Sequence, residues 1–431
     1  MRERDIDVAV IGAGIAGLVA ARELQEHGFS VVVFEASNEV GGRCKPGKNK
    51  SGIEAGAEFI HGEDAVTWRL VERFALRTVR FPNEKFPPRR YWFTNELPPI
   101  FAKYVDELCE ACENPAFLTE GSVGDFISTF DSWDGEPGGE LQSQTEWKHL
   151  IREFARERIE RLEGCNTFDL RHLDYIEQCS LSSVATQNFR LVAGYGELVE
   201  KICEGLDIRT GAAIDSIEIG EAQVRLASAG FEFYATRAVL AIPLSQYQND
   251  SISFRPGLPN SKTSAIKNLR LGQALKVCVS LKDTQMDFSL LHTLEQIPTW
   301  MNLPSRLTDG SETLIGFVGG ESAQRLLGFT DEHIAQIAMT SLLKAIPTLS
   351  KENIVEPIEV VRWDTAPYIS GSYSFPLRGG SSTSKELASP FGRLHFAGEC
   401  TSFNGNIGTV HGAIESGYRA SAEIKFAANS D

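Results

Sequence analysis

A glycine-rich turn between two apolar segments near the start of the chain constrains its fold more than any other feature. Residues 7–11 are predicted to form a strand that runs into Gly12, Gly14 and Gly17. An amphipathic helix and a second predicted strand, residues 30–34, follow. This order is the βαβ unit that binds a dinucleotide. Gly12 allows the tight turn, Gly14 lets the backbone approach a pyrophosphate, and Gly17 permits close packing of the helix on the strand.

An acidic residue at the end of the second strand indicates which dinucleotides fit. Glu35 would accept hydrogen bonds from the ribose hydroxyls of adenosine, with Ala36 beside it. Its charge repels a 2′-phosphate, so FAD or NAD is favoured over NADP. The helix N-terminus, around Ala16, offers unpaired N–H groups and a partial positive charge to the phosphates. This unit alone leaves FAD and NAD as alternatives.

Two short segments next to this unit extend the candidate nucleotide site. Residues 39–43, EVGGR, place Gly42 and Arg43 where a guanidinium would bind phosphate oxygens. Residues 56–62, GAEFIHG, form a small-residue segment suited to lying flat against a planar ring, with Glu58 and Phe59 as candidate cofactor contacts.

Charge and cysteine content limit the partners and the compartment. A formal net charge of −16 argues against nucleic acid or an anionic membrane as the main partner and suits cationic small molecules. No apolar stretch is long enough to span a bilayer. Cys109 and Cys112, on a helix predicted over 101–113, are interpreted as packing thiols, with a redox pair as the alternative, and no metal site is predicted. We expect a reduced compartment, most simply the cytoplasm. The oligomeric state is not predicted.

The alternation of segments predicts an α/β chain with two interleaved domains. A discontinuous Rossmann-like domain is expected over 1–65, 189–265 and 366–431. A substrate-binding α+β domain with a mixed sheet and helices is expected over 66–188 and 266–365. Within the latter, a helix over 145–163 is predicted to expose its charged face to solvent.

The chain resembles the flavin-containing amine oxidases, which include monoamine oxidases, polyamine oxidases and the flavin histone-lysine demethylases. The resemblance covers both ends, the alternating strands over 208–244 and the strand LGQALKVCVSL, and its most specific part is FAGE followed by GTVHGAIESG. It implies non-nicotinamide chemistry: FAD takes hydride at its N5 atom, an amine C–N bond becomes an imine, and the imine is hydrolysed to an aldehyde. Oxygen is reduced to hydrogen peroxide.

The same resemblance assigns cofactor contacts far from the N-terminus. It places Gly398 and Glu399 near the ribityl or diphosphate group and Ile214 near the adenine. Thr409 and Val410 open the last helix toward the flavin N1/O2 end, where a helix N-terminus stabilises the negative charge of reduced flavin. The full candidate cofactor set is Gly12, Gly14, Ala16, Gly17, Glu35, Ala36, Gly42, Arg43, Glu58, Phe59, Ile214, Trp363, Gly398, Glu399, Thr409 and Val410.

Three residues are candidates for catalysis by resemblance. Lys276, inside an apolar strand, would hold a water against flavin N5 and assist the reaction with oxygen; the alternative is an edge-strand lysine in solvent. Tyr373 in GSYS would form one wall of an aromatic cage in front of the flavin. His61 in IHG would lie near the substrate amine and assist its deprotonation.

Two residues differ from those of the monoamine oxidases and indicate which branch of the family the chain resembles. Thr409 stands where monoamine oxidases carry a second cage tyrosine, so His61, Tyr373 and Thr409 are the candidate substrate contacts of a polyamine oxidase type. Ser372 stands where monoamine oxidases carry the flavin-linking cysteine, so the FAD is expected to be non-covalent.

The expected partners are a small amine and oxygen. An L-amino acid oxidase is an alternative, with Arg89 and Arg90 available for the carboxylate. Carotenoid desaturases and protoporphyrinogen oxidase share the N-terminal half but fit the later segments less well. A non-catalytic flavin-binding interaction protein is the alternative from another class.

Overall fold

Two large β-sheets carry the architecture. The computed structural model describes residues 6–45, 53–81, 89–92, 95–97, 99–131, 143–182, 187–228, 230–303 and 312–429. Within these ranges there is an eight-stranded sheet, a seven-stranded sheet and two smaller sheets, with helices packed around them. The predicted α/β class, with a mixed sheet and helices, is confirmed.

The elements of the described residues follow in chain order. The strands are β1 (Ile6–Ile11), β2 (Val31–Phe34), β3 (Ile60–His61), β4 (Thr78–Phe81), β5 (Arg89–Trp92), β6 (Asn95–Glu96), β7 (Asn188–Leu191), β8 (Asp207–Arg209), β9 (Ser216–Ile219), β10 (Val224–Ser228), β11 (Phe231–Leu240), β12 (Ser253–Arg255), β13 (Leu269–Leu271), β14 (Ala274–Leu281), β15 (Leu290–His292), β16 (Thr299–Leu303), β17 (Glu312–Gly319), β18 (Ile354–Arg362), β19 (Ser374–Pro376) and β20 (Leu394–Phe396). The helices are α1 (Ile15–Glu26), α2 (Thr67–Arg73), α3 (Pro99–Glu113), α4 (Val123–Thr129), α5 (Gln144–Glu163), α6 (His172–Leu181), α7 (Tyr195–Cys203), α8 (Leu244–Gln248), α9 (Asn260–Asn268), α10 (Gly320–Leu327), α11 (Asp331–Ala345), α12 (Gly380–Ala388) and α13 (Val410–Ala428).

The eight-stranded sheet contains the predicted βαβ unit. Its order is β12-β9-β10-β11-β1-β2-β8, and β20 pairs with β11. Strand β1 pairs in parallel with both β2 and β11. Both predicted strands of the unit lie within one residue of the observed bounds. Strands β9, β10 and β11 are antiparallel neighbours, as the alternation over 208–244 indicated. The carboxyl ends of β1 and β11 therefore meet at the glycine turn.

The seven-stranded sheet holds the apolar strand with its lysine. Its order is β18-β14-β17-β16-β15-β5-β6. Strand β14 lies between β18 and β17, and Lys276 is paired opposite Val361 on one side and Phe317 on the other. Lys276 is 6% exposed. The interpretation of Lys276 as an edge-strand residue in solvent is therefore wrong.

Helices α3 to α6 form a core of their own. Cys109 and Cys112 are buried in it, and all eight cysteines of the chain are free, as expected of packing thiols. The expectation of a fully solvated charged face on α5 is wrong at Glu160, which is 5% exposed. Its Oε1 accepts hydrogen bonds from the Thr167 backbone N–H at 3.0 Å and hydroxyl at 3.2 Å. Among the described residues no cation donates to this buried carboxyl, and these hydrogen bonds stabilise it instead.

A second buried lysine caps the C-terminal end of helix α12. Lys262 is 1% exposed, and its ammonium donates to the backbone oxygens of Glu386 at 3.0 Å and Leu387 at 2.9 Å. Carbonyls in the last turn of a helix lack intrahelical donors, so the ammonium caps the helix.

A small sheet joins distant parts of the chain. Strand β7 pairs with both β3 and β4, and Asn188 of β7 lies opposite His61 of β3. No helix of the described ranges combines the length and apolar character needed to cross a bilayer.

Candidate active site

Residues 54–61 form the centre of the candidate site, because three distant segments contact them. The Lys276 ammonium donates to Glu58 Oε2 at 3.0 Å and to the Glu54 backbone oxygen at 3.2 Å. Arg190 donates to Glu58 Oε1 through Nε at 2.8 Å and through Nη2, which lies 2.7 Å away. Trp363 donates through its indole N–H to the Ala55 backbone oxygen at 3.1 Å. The lysine strand and the tryptophan segment therefore meet the GAEFIHG segment.

The charge state of Glu58 follows from these neighbours. Burial opposes ionisation of this carboxyl, but Lys276 and Arg190 outweigh burial and hold the pKa of Glu58 below its usual range. Glu58 is therefore a carboxylate that binds two cations. Its predicted contact with the cofactor stays a prediction.

Glu399 connects the C-terminal segment to the N-terminal one. Its carboxylate lies 3.0 Å from Arg43 Nη1, and it accepts hydrogen bonds from the Ser374 hydroxyl at 2.9 Å and the Gly408 backbone N–H at 3.0 Å. The Arg43 guanidinium also donates to the Ser372 backbone oxygen. Arg43 is thus held by protein groups, and a phosphate contact for it stays a prediction.

The glycine turn has the shape that a pyrophosphate requires. Gly12 has φ +102°, and a Cβ there would lie 2.4 Å from the Ala241 backbone oxygen. A Cβ at Gly17 would lie 2.0 Å from the Gly12 oxygen, so α1 packs closely on the turn. A Cβ at Gly14, in contrast, would meet no protein atom within 4 Å. Glu35 braces the turn, since its carboxylate accepts from the Ala13 N–H at 2.7 Å and the Ser37 N–H at 2.9 Å.

We expect Gly14→Ala to weaken FAD binding without unfolding the protein. Gly14 has extended backbone angles that alanine also adopts, and its open side is the side from which a phosphate approaches. The expected loss of FAD affinity is about tenfold or more, equivalent to about 1.4 kcal/mol. Titration of the apoprotein with FAD measures this loss, and Gly17→Ala is the matched control because it should lower thermal stability as well. Unchanged affinity for FAD in Gly14→Ala would contradict the assignment.

The last long helix begins at the same centre. Thr409 is its N-cap, and the Thr409 hydroxyl accepts from the Gly412 N–H at 3.0 Å and donates to the Asn406 backbone oxygen at 2.7 Å. The hydroxyl is therefore used by the helix itself. Tyr373 lies beside this turn: a Cβ at Gly408 would be 3.4 Å from the Tyr373 Cβ. The Tyr373 hydroxyl donates to the Arg161 backbone oxygen at 2.7 Å, which fixes its ring against α5.

Two imidazoles lie next to each other at the helix start. His61 donates through Nδ1 to the Asn188 side-chain oxygen at 2.6 Å, which leaves Nε2 as the basic nitrogen. Burial lowers the pKa of His61, although this hydrogen bond opposes the shift, so the ring is neutral at pH 7. Its centroid lies 6.2 Å from that of His411, which is 1% exposed. Among the described residues, no group hydrogen-bonds the buried Nε2 of His411.

His411 should make the protein sensitive to acid. Burial, and then the charge of His61, lower its pKa from 6.5 to about 4. The unfolded chain therefore binds a proton first, and stability is lost as pH falls from about 6.5 to 4, by about 3 kcal/mol in total. Urea unfolding at pH 7 and pH 4.5 measures the loss, and His411→Gln should flatten it. An equal pH slope in both proteins would contradict this role.

The remaining predicted cofactor residues lie at several places, some of them beside the glycine turn. Ala16 is 5% exposed, and a Cβ at Gly417 of α13 would lie 2.5 Å from its backbone oxygen. A Cβ at Gly42 would lie 3.4 Å from the Gly14 Cα. The Gly398 backbone N–H donates to the Ser416 hydroxyl at 2.8 Å. Phe59 stacks on Phe81. Ala36 and Ile214 lie farther along, beyond β2, where Ile214 is buried against Ile11 and Phe34. Val410 is half-buried in the first turn of α13.

Sequence reasoning missed three residues of this site. Arg190, Asn188 and His411 each hold or adjoin a predicted side chain, but their contacts join residues 127 to 350 positions apart. The one available signal is the short polar alternation of β7, which places residues 188 and 190 on the same face of a strand.

The residues present fit a flavin dinucleotide. The open cradle at Gly14 takes a diphosphate, and two buried polar atoms without a hydrogen-bond partner in the described structure, Ser372 Oγ and His411 Nε2, lie in the segments expected around the ring. Such atoms are costly to bury unless a ligand satisfies them.

Comparisons with known proteins agree with this geometry. The family model described as flavin containing amine oxidoreductase matches residues 15–425. The chain is 28% identical to lysine-specific histone demethylase 1 homolog 2 of Arabidopsis thaliana over 457 residues, which covers 98% of this chain and 59% of that protein. It is 26% identical to flavin-containing amine oxidase B of Cavia porcellus, over 97% of this chain and 86% of that protein. The chain thus spans about three fifths of the plant relative.

Solved structures share the fold at low identity. Cyclohexylamine oxidase from Brevibacterium oxydans superimposes with a TM-score of 0.79 at 22% identity, covering 99% of this chain and 100% of that one. Putrescine oxidase bound to putrescine has a TM-score of 0.77 at 20% identity, covering 98% and 99% of the two chains. At this identity the likeness concerns the fold alone.

Proposed function

The chain belongs to the flavin-containing amine oxidoreductases, and from this premise we propose that it oxidises a diamine or polyamine. It is an FAD-dependent oxidoreductase that acts on amines, as members of this family are. When bound, FAD supplies the redox chemistry, in which an amine C–N bond becomes an imine and oxygen becomes hydrogen peroxide. The imine is then hydrolysed to an aldehyde and a released amine.

We assign residues 54–61 to the reacting centre because side chains from distant segments contact them. Lys276, Trp363 and Arg190 all hydrogen-bond this one segment, and His61 ends it. His61 is neutral at pH 7 with Nε2 available, so it is suited to accept a proton from a substrate ammonium. A substrate nitrogen without that proton has the lone pair that imine formation needs.

A carboxyl near Tyr373 supports a substrate with a second positive charge. Glu163 ends α5, and the Gln178 amide donates to it at 3.1 Å. Burial raises the pKa of the Glu163 carboxyl to about 7, since no cation faces it in the described structure. The next residue, Gly164, lies against Tyr373, since a Cβ there would be 2.8 Å from the Tyr373 ring. Burial, and then the charge of Glu163, raise the pKa of Tyr373. We propose that an ammonium group of a substrate bound beside Tyr373 pairs with the Glu163 carboxylate.

A peroxide-release screen tests the substrate class. Purified holoenzyme is assayed with diamines and polyamines, aliphatic monoamines, L-amino acids and N-methyl-lysine histone peptides. We expect the lowest KM for a diamine or polyamine, and we expect Glu163→Gln to raise that KM while leaving the KM for monoamines unchanged. A preference for L-amino acids or histone peptides would overturn the proposed class, and a Glu163→Gln variant with an unchanged diamine KM would overturn the role of Glu163.

The attachment of FAD gives a separate prediction. Ser372 has a hydroxyl where a covalent link needs a thiolate, so we expect the yellow protein to release all its FAD on acid precipitation. Absorbance of the supernatant measures the release. Flavin retained in the pellet would contradict a non-covalent site.

We also propose a reducing compartment, most simply the cytoplasm. All eight cysteines are free thiols, which suits such a compartment. Imaging of the fluorescently tagged protein tests this.

A further inference from the structure

Three charged side chains are buried together beside the candidate reacting centre. The exposed fraction of the side chain is 4% for Glu58, 4% for Arg190 and 8% for Lys276. The carboxylate uses one oxygen for each cation: Oε1 accepts from Arg190 at 2.8 Å, and Oε2 accepts from Lys276 at 3.0 Å. The trio carries one negative and two positive charges.

This arrangement costs more than a simple ion pair. Glu58 with either cation alone would already be neutral, so the second cation adds desolvation and repulsion that Glu58 offsets only in part. A second buried acid, Glu54, is 1% exposed in the same segment.

The hydrogen bonds of Lys276 indicate what the second cation does. An ammonium group has three donors, and among the described residues two acceptors take them: Glu58 Oε2 and the Glu54 backbone oxygen. One donor is left for a ligand. With both oxygens of Glu58 open to Lys276, we expect the ammonium to bridge them and to leave Glu54.

Arg190 occupies one of these two oxygens. Its guanidinium places Nε 2.8 Å and Nη2 2.7 Å from the same oxygen, Oε1, and its charge helps to keep the carboxyl ionised. Arg190 lies on β7, which pairs with β3 on one side and β4 on the other, so the sheet holds the backbone that carries the guanidinium. Only Oε2 then faces the lysine.

We propose that Arg190 is a positioning residue, which acts through Glu58 to fix the direction of the Lys276 ammonium and so supports the oxygen-consuming half of the reaction. The effect of Arg190 on the reaction with oxygen rests on the proposed function, whereas its effect on the position of the Lys276 ammonium does not.

Half-reaction kinetics test the positioning role. In Arg190→Gln holoenzyme, stopped-flow spectroscopy should show reoxidation by oxygen slowed by about tenfold or more, because small misplacements at a reacting centre have effects of up to about 10²-fold. Reduction by the amine should change far less. In a Lys276→Met background, Arg190→Gln should add no further slowing. Arg190→Lys, which restores the charge but not the fork, should recover part of the rate.

A matched control separates positioning from general damage. Arg237 is 5% exposed on β11 and lies beside the last turn of α13, a helix about 28 Å long whose first turn is at the site. Arg237→Gln should lower stability without changing the ratio of the two half-reactions. Equal slowing by Arg190→Gln with and without Lys276 would overturn the proposal.

A crystal structure of Arg190→Gln holoenzyme gives a readout that does not depend on activity. We expect the Lys276 ammonium to leave the Glu54 oxygen and bridge both oxygens of Glu58. An unmoved ammonium would overturn the proposal. If Lys276→Met alone left reoxidation unchanged, the catalytic role assigned to Lys276 would fail, and the crystal structure would decide the positioning role by itself. If Arg190→Gln did not fold, Arg190→Lys would replace it in both experiments.

Discussion

Replacing Lys276 with methionine should slow reoxidation of the reduced enzyme by oxygen by about 10²- to 10³-fold, the usual effect of removing one preorganised donor. Reduction by the amine should stay within about a factor of three, since that step does not need the ammonium. Stopped-flow absorbance of the flavin measures both half-reactions.

The variant should still fold. Methionine fits the apolar strand β14, and the pair that is left behind, Glu58 with Arg190, is neutral and hydrogen-bonded. Lys262→Met is the matched control, because Lys262 is equally buried but caps helix α12. It should cost stability and leave both half-reactions unchanged. If Lys276→Met altered neither half-reaction, the role of Lys276 would be wrong.

Glu58→Gln should destabilise the protein by about 3–5 kcal/mol, the cost of removing one partner from a buried ion pair. The neutral amide leaves the Arg190 guanidinium and the Lys276 ammonium buried with no negative charge between them. In a Lys276→Met background the same change should cost less, because one cation is gone. Urea unfolding of the four proteins measures the difference.

Glu160→Gln is the matched control for this prediction. Glu160 is just as buried, but burial raises its pKa and backbone and hydroxyl donors hold it. Its amide should therefore be tolerated, with a loss of at most about 1 kcal/mol. An equally small loss for Glu58→Gln would contradict the ion trio.

The pH dependence of Glu58 has a definite sign. Its pKa is lowered in the folded protein, so the stability it contributes is present above the ordinary glutamate pKa. That stability is lost as pH falls through the lowered folded value. Acid unfolding of Glu58→Gln should lack this component.

The sequence predicted the fold well where the signal is local. The glycine turn and its two strands lie within one residue of their predicted positions, because strand, turn and helix are encoded by neighbouring residues. The last helix likewise begins where the sequence predicted, with Thr409 as its N-cap.

The site was predictable as a set of residues and less so as a set of contacts. Lys276 was singled out because a lysine in an apolar strand is conspicuous. Its partner Glu58 is 218 positions away in sequence, and Glu58 is 132 positions from its other partner, Arg190. No local pattern encodes such pairings. For the same reason the sequence did not predict that Glu58 is also the anion between two cations.

The three-stranded sheet has a consequence for how the chain comes apart. Strand β7 follows the helical region α3–α6, yet it pairs with β3 and β4, which precede that region, and its residues hold both His61 and Glu58. Separating the segment before α3 from the segment after α6 therefore breaks these pairings and hydrogen bonds. Hydrogen exchange should therefore show β3, β4 and β7 opening in one cooperative event, and a fragment ending before residue 188 should lack the strand whose residues hold His61 and Glu58.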